Sequence, residues 1–346
     1  MTTPKATPVP RSDREPELSV VLITPASFES IRQTVRCLAR QSIRDRIELV
    51  IVAPIDARIE ADPELCGVFA NVRIVTLSSV SPTGPARAAA VRSARAPVVA
   101  FAEDHCFPAP TWADALVRAH LGPYAAVGPA IRNANPDTMV SWADLLIAYG
   151  PWMNPAAPRE MDFLPGHNSA YKRLLLLDYG DSLSDLMEAE TVLQWDLRRK
   201  GHRLLLEPAA QAAHTNFGLW SSWIPVMYFS GRAFAATRSS GWSPLRRLVF
   251  TVSSPLIPFV RFARVVVNAR RARPSWPFLL RVLPTIAVGL VIDGAGQASG
   301  YAAGAGTAHQ RMARYEWHRL QHTPRGRTEH AGDGEPLAVA PSTPPG

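Results

Sequence analysis

A chain of 346 residues, 47% of them apolar and nine of them Trp, can bury one large core or two modest ones, which excludes wholesale disorder. Its three cysteines (Cys37, Cys66 and Cys106) have neither the number of a disulfide framework nor metal-binding spacing, and they fit a reducing environment. The net charge of +8 is local: residues 208–292 hold ten Arg and no Asp or Glu, interleaved with Trp, Phe, Leu and Val, a mixture that suits an anionic membrane surface and argues against nucleic acid as the partner.

Residues 1–17 are polar, lack the apolar core of a secretory signal and are expected to be unfolded. Residues 18–24 (L-S-V-V-L-I-T) predict a buried strand. A helix follows over 27–41, with Phe28, Ile31, Val35 and Leu38 near helical spacing. Strands are expected at 47–52 and 72–77, then an Ala-rich helix over 85–94. The apolar run at 98–102 (V-V-A-F-A) has the type and length of a buried central strand and stops at Glu103-Asp104-His105. This alternation predicts an α/β fold, a mostly parallel sheet flanked by helices, whose carboxyl edge is where such sheets place ligands. Glu103 and His105 alternate along an extended segment, so both point to one side and suit a shared divalent ion. Taken alone, the triplet reads equally well as a polar turn.

Further on, Thr111-Trp112-Ala113-Asp114 has the spacing of a capping box and starts a helix through His120. A strand is expected at 125–131. Residues 162–171 (D-F-L-P-G-H-N-S-A-Y) carry a Gly that admits close backbone approach and an Asn able to bond hydroxyls, in a segment that also suits a strand-edge turn. A helix over 186–200 ends in three basic residues and a stop at Gly201. Glu188 and Glu190 lie toward its start, where a carboxylate also favours the helix dipole. A short strand at 203–207 precedes a segment closing on His214.

In their order these motifs resemble family 2 glycosyltransferases, which have the GT-A fold. The resemblance covers residues 18–214, and E-D-H stands where that family has a D-x-D-type triplet. It implies a catalytic domain over 18–216 and Mn²⁺ or Mg²⁺ held by Glu103, Asp104, His105 and His214. It implies a nucleoside-diphosphate sugar donor bound by Thr24, Pro25, Asp56, Arg87, Glu103 and Asp104. Gly166, His167, Asn168 and Trp195 would line the pocket between donor and acceptor. Glu190 falls where the family has its general base, with Glu188 as the second choice. The family's second strand often ends in an acid that reads the base, but here it ends Val52-Ala53-Pro54. Gln194-Trp195 lacks the flanking residues of the Q-x-x-R-W motif, so a processive synthase is not expected.

Residues 217–320 form the basic, aromatic remainder, and 321–346 an expected unfolded tail. The apolar segments 248–260 and 276–292 are each shorter than the ~20 residues a full span wants and contain Pro, so interfacial helices are expected, with a two-helix hairpin as the alternative. The sequence therefore predicts a metal-dependent, inverting glycosyltransferase on the cytoplasmic face of a membrane, acting on a glycan or lipid-linked acceptor. Rival readings are a catalytically inactive membrane adaptor and a nucleotidyltransferase, which also uses an acidic strand end and a metal.

Overall fold

Four fully or partly buried strands start the fold: β1 (Leu18–Ile23), β2 (Ile47–Pro54), β3 (Asn71–Leu77) and β4 (Val98–Ala102). They lie parallel in the order β3-β2-β1-β4. Burial on both faces is why β1, β2 and β4 read as continuous apolar runs, whereas the edge strand β3 is only partly buried and has the weaker pattern. The crossovers are the helices α1 (Phe28–Ala39), α2 (Pro63–Cys66) and α3 (Thr83–Ser93). Helix α1 buries Phe28, Ile31, Val35 and Leu38, the stripe its spacing predicts.

The computed structural model describes residues 15–153, 155–188, 190–271 and 275–324. The unfolded ends expected at 1–17 and 321–346 fall largely on residues 1–14 and 325–346, outside the described residues. Glu17 is already held, its N–H donating to Arg46 O and its carboxylate 2.9 Å from the Arg46 guanidinium. The described chain divides into two compact units, residues 15–131 with 155–213 and residues 132–153 with 214–324, rather than at the expected 216/217 boundary.

In the first unit the sheet continues through β5 (Cys106–Pro108), β6 (Tyr124–Asn133), β7 (Arg159–Glu160), β8 (Ala170–Lys172) and β9 (Arg203–His214), in the order β4-β8-β6-β9-β5 with β7 on β9. The short strand β8 runs antiparallel to both β4 and β6, so the sheet is parallel in its first half and mixed in its second. Strand β9 is one 12-residue element where a five-residue strand was expected, because burial alternates through Ala210 and Ala212 beyond Pro208. Helix α4 (Trp112–His120) starts where expected, but its capping box does not form. Asp114 is drawn to Arg118 and Arg46 instead, and Gln41 takes over, accepting the Ala113 N–H at 2.9 Å while donating to Ala109 O at 2.8 Å. Between β6 and β7, α5 (Met139–Tyr149) belongs to the second unit. The first unit is completed by α6 (Arg173–Leu177), α7 (Leu183–Glu188) and α8 (Glu190–Arg199). Gly201, at φ +86°, stops α8 as expected, with its N–H on Arg198 O.

Burial at the end of α4 pushes the His120 imidazole pKa down to about 4. A depressed folded-state pKa means stability is complete above the unfolded value of about 6.5 and is lost as pH falls toward 4. Thermal unfolding between pH 7 and pH 4 should reveal up to about 3 kcal/mol of proton-linked destabilisation that a His120→Gln variant lacks. Equal pH slopes in the two proteins would refute the assignment.

In the second unit, α9 (Trp220–Arg238), α10 (Pro244–Ser253), α11 (Ile257–Arg271), α12 (Trp276–Ala303) and α13 (Ala308–Glu316) join α5. Helices α9 and α12 approach so closely that a Cβ at Gly296 would lie 2.1 Å from Tyr228 O, and one at Gly300 2.3 Å from Arg232 O. Small residues four apart make that approach possible. The apolar segments prove longer than the sequence suggested. Pro255 sits in a single 3-10 turn, Ser254–Leu256, and Pro258 in the first turn of α11, where a missing N–H costs no helical bond. Two helical stretches, Pro244–Arg270 with 27 residues and Trp276–Ala303 with 28, are therefore long and apolar enough to cross a membrane by length and composition. The most apolar window of α12 is 50% buried within the protein, that of Pro244–Arg270 only 11%. Three arginines of this region find polar partners within it: Arg261 pairs with Asp293, Arg232 donates to Gly304 O at 2.9 Å and Arg247 to Tyr301 O at 2.9 Å.

Candidate active site

Register places the triplet. Leu22 of β1 pairs with Ala102 of β4, so Glu103-Asp104-His105 leave the sheet at its carboxyl edge beside Thr24. Glu103 still bridges Cys106, and its carbonyl accepts the Thr34 hydroxyl at 2.8 Å, which fixes the turn. His105 is buried, and its Nδ1 is 2.5 Å from Asp104 Oδ1. That bond assigns the proton to Nδ1 and presents Nε2 with its lone pair toward Glu103 Oε2, 3.6 Å away. A separation near 3.6 Å is what two ligands about 2.1 Å from one ion subtend, so the donor set fits a divalent cation with mixed oxygen and nitrogen preference. Asp104, expected as a ligand, is instead turned to orient His105.

Strand β8, antiparallel to β4, brings the preceding loop to the same edge. The Asn168 N–H donates to Phe101 O at 2.5 Å and the Phe101 N–H to Ser169 O at 3.1 Å. Asn168 takes φ +61°, a conformation Asn tolerates better than most residues. Its side chain is 1% exposed, with neither amide atom bonded to a described residue. One residue earlier, His167 Nδ1 lies 2.9 Å from Glu103 Oε1 and 3.8 Å from Glu190 Oε1. Burial opposes charge on this ring, but Glu103 and Glu190 outweigh it and hold the His167 pKa above the ordinary histidine value.

Glu190, the first residue of α8, is buried and paired with Arg87 of α3. Arg87 also donates to Met187 O at 2.8 Å and lies 3.4 Å from His167 Nδ1. The arginine expected at phosphates thus also braces the expected base. Gly166 admits the loop to this carboxylate, since a Cβ there would stand 2.9 Å from Glu190 Oε2. Gly166→Ala should leave folding intact, because the carboxylate end can shift, while lowering activity about tenfold or more through that shift. Circular dichroism and steady-state kinetics on the one variant check both halves.

The other expected residues have these surroundings. Glu188 ends α7 and accepts the Gly84 N–H at 2.6 Å, capping α3. Thr24 is buried with its hydroxyl 2.7 Å from Ser30 Oγ, and Pro25 follows it, partly exposed. Asp56 is exposed in the 3-10 turn after β2. Trp195 is 55% exposed on α8. Its neighbour Gln194, weighed in the sequence only against the Q-x-x-R-W motif, is fully buried, accepting the Leu164 N–H at 2.7 Å and donating to Tyr171 Oη at 2.8 Å, and so ties α8 to the 164–169 loop. A fully polar amide between the apolar positions Leu193 and Leu197 was the available signal. His214 ends β9 and belongs to the second unit, where Asn216 Oδ1 lies 2.9 Å from its Nδ1 and Tyr149 Oη 3.0 Å from its Nε2.

The family model described as glycosyl transferase family 2 matches residues 19–180. No curated protein matches the chain significantly. Among solved structures, GalNAc-T7 with UDP, GalNAc and Mn²⁺ is similar at 15% identity and a TM-score of 0.43, over 59% of this chain and 44% of that one. S. aureus TarS 1-349 in complex with UDP is similar at 15% identity and a TM-score of 0.40, over 85% of this chain and 91% of that one. A longer S. aureus TarS structure is similar at 12% identity and a TM-score of 0.40, over 83% of this chain and 55% of that one.

Proposed function

From the match of residues 19–180 to the glycosyl transferase family 2 model we propose a metal-dependent, inverting transfer of a sugar from a nucleoside diphosphate to a hydroxyl of a membrane-borne acceptor. The observation that carries the reading is the convergence of Glu103, His105, His167, Arg87 and Glu190, from four separate segments, at one sheet edge. Glu103 and His105 would hold Mn²⁺ or Mg²⁺, with Asp104 orienting the imidazole. The ion, when bound, offsets charge on the departing diphosphate as a Lewis acid.

This chain's own groups supply the rest. Arg87 pairs with Glu190, which stands as the general base. Glu190 takes the proton of the acceptor hydroxyl as its oxygen bonds to the anomeric carbon. On the opposite side the bond to the diphosphate oxygen breaks, and the electron pair leaves with the nucleoside diphosphate. One displacement of this kind inverts the anomeric centre. His167, between Glu103 and Glu190, ties the donor side of the site to the acceptor side. Asn168 offers a buried amide for a sugar hydroxyl.

The apolar, outward-facing stretch Pro244–Arg270 supports a location at the membrane, where the acceptor would be lipid-linked or otherwise membrane-borne. Titration calorimetry of UDP, GDP and dTDP against detergent-purified protein, with Mn²⁺ and then with chelator, tests the reading. Binding of one nucleotide that needs the metal is expected and would identify the base. Failure of every nucleotide on folded protein would favour the inactive adaptor, and pyrophosphate release from a nucleoside triphosphate the nucleotidyltransferase.

A further inference from the structure

Three helix ends of the second unit meet around a cavity of about 580 Å³. Helix α9 ends at Arg238, the chain turns through Gly241 at φ +76°, and α10 begins at Pro244 behind the Ser243 cap. Helix α12 ends at Ala303, with Gly304 at φ +75°. The walls include Thr237, Ser240, Trp242, Arg247 and Gly304.

The electrostatics of this corner are one-sided. Arg246 stacks on the Trp242 indole with its guanidinium carbon 4.0 Å from the ring centroid, and Arg238 lies 5.7 Å from that ring and 5.3 Å from Phe250. Tyr301 stacks on the same indole, at 6.0 Å and 9°. Arg247 spends its Nε on Tyr301 O. Arg238, Arg246 and Arg247 thus gather in a stretch, residues 208–292, that holds no acid. Stacking on an aromatic face leaves the edge of a guanidinium for bidentate bonding to an anion, and phosphate is the anion whose geometry that fork matches.

What lies beside the cavity selects among phosphates. Arg247 is flanked by the outward-facing apolar residues of α10, with Leu245 71%, Leu248 58% and Val252 72% exposed, and these continue through Phe259 at 74%. An anion with acyl chains satisfies both surfaces at once, and inorganic phosphate satisfies only the first. The volume is within the range of small-ligand sites and exceeds what one phosphate needs.

We propose that this cavity binds the phosphate headgroup of an anionic phospholipid, with Arg246 and Arg247 on the phosphate, Trp242 at headgroup depth and the acyl chains along α10. The site rests on the reading of this region as membrane-associated and makes that association selective for anionic lipid. Thr237 and Ser240 hydroxyls add neutral donors for the headgroup.

The experiment is thermal unfolding of the full-length protein in neutral detergent with dioctanoyl phosphatidylglycerol, dioctanoyl phosphatidylcholine or inorganic phosphate, for wild type, an Arg246→Gln/Arg247→Gln variant and an Arg246→Lys/Arg247→Lys variant. Phosphatidylglycerol should stabilise the wild type at concentrations at least about tenfold below those at which the Gln variant responds. The Lys variant should fall between them, since it keeps charge but loses the fork. Equal responses of wild type and Gln variant would overturn the site, and a response to inorganic phosphate as strong as to the lipid would overturn the lipid assignment. Vesicle flotation of the wild type runs beside it. A protein that remains soluble without detergent and floats with no vesicle overturns the membrane reading itself. Flotation with phosphatidylcholine and phosphatidylglycerol alike overturns only the headgroup site.

Discussion

Glu190→Gln is expected to lower kcat by about 10³-fold while changing the donor KM little, because removal of a general base costs the transition state and not the ground state. The amide keeps the shape of the carboxylate and an oxygen for Arg87, so the bracing of the site largely survives. What it loses is the charge: the Arg87 guanidinium, 8% exposed, keeps its bond to Met187 O but then faces a neutral neighbour. Breaking a buried pair is destabilising, and the neutral isostere retains part of the interaction, so a fall in stability of about 1–3 kcal/mol should accompany the kinetic loss. Glu188→Gln is the discriminating control. Its carboxylate caps α3 through the Gly84 N–H, so it should cost about 1 kcal/mol and leave kcat within a fewfold of wild type. Single-turnover kinetics on both variants, with unfolding curves beside them, decide the matter. A greater kinetic loss for Glu188→Gln would reverse the assignment of the base.

The distinction between those two glutamates marks where sequence reading stops. Periodicity and run length located β1, α1, β2 and β4 and ended β4 at the triplet, because those signals are local and each strand is buried on both faces. The same local rules could not assign partners to the two glutamates: the Glu188 carboxylate accepts the Gly84 N–H, whereas Glu190 pairs with Arg87. Partner choice is what local rules leave open. Asp114 forms ion pairs instead of a capping box because Arg46, 68 positions away in sequence, reaches it. Asp104 orients the imidazole because its carboxylate meets the adjacent His105 Nδ1 at 2.5 Å. The arginines of residues 208–292, which lack acids in sequence, meet Asp293, helix-end carbonyls and aromatic faces once α9–α12 pack. Proline misled in the opposite direction: Pro255 and Pro258 looked like breaks, yet their positions in first turns let Pro244–Arg270 run on.

The second large effect is expected at the sheet edge. A Glu103→Ala/His105→Ala double variant should lose metal-dependent nucleotide binding altogether and with it turnover, by about 10³-fold or more, since both the ion's ligands and its charge on the leaving diphosphate are removed. The fold should persist, because the bonds that fix this turn are made by backbone atoms: Glu103 O with Thr34, and the bridge of residue 103 to Cys106. Asp104→Asn probes the orienting role separately. An amide oxygen accepts the Nδ1 proton more weakly than a carboxylate, so metal affinity should fall about 10–100-fold without being abolished. Mn²⁺ titration followed by electron paramagnetic resonance reads that loss directly and without substrate. His167→Gln should fall on the other side of the division, retaining Mn²⁺ affinity within a fewfold while reducing turnover, because its Nδ1 sits between Glu103 and Glu190 rather than among the ligands. If the double variant still binds nucleotide as tightly with chelator as the wild type does with Mn²⁺, the ion has no part in donor binding, and Arg87 becomes the group to examine for the diphosphate charge.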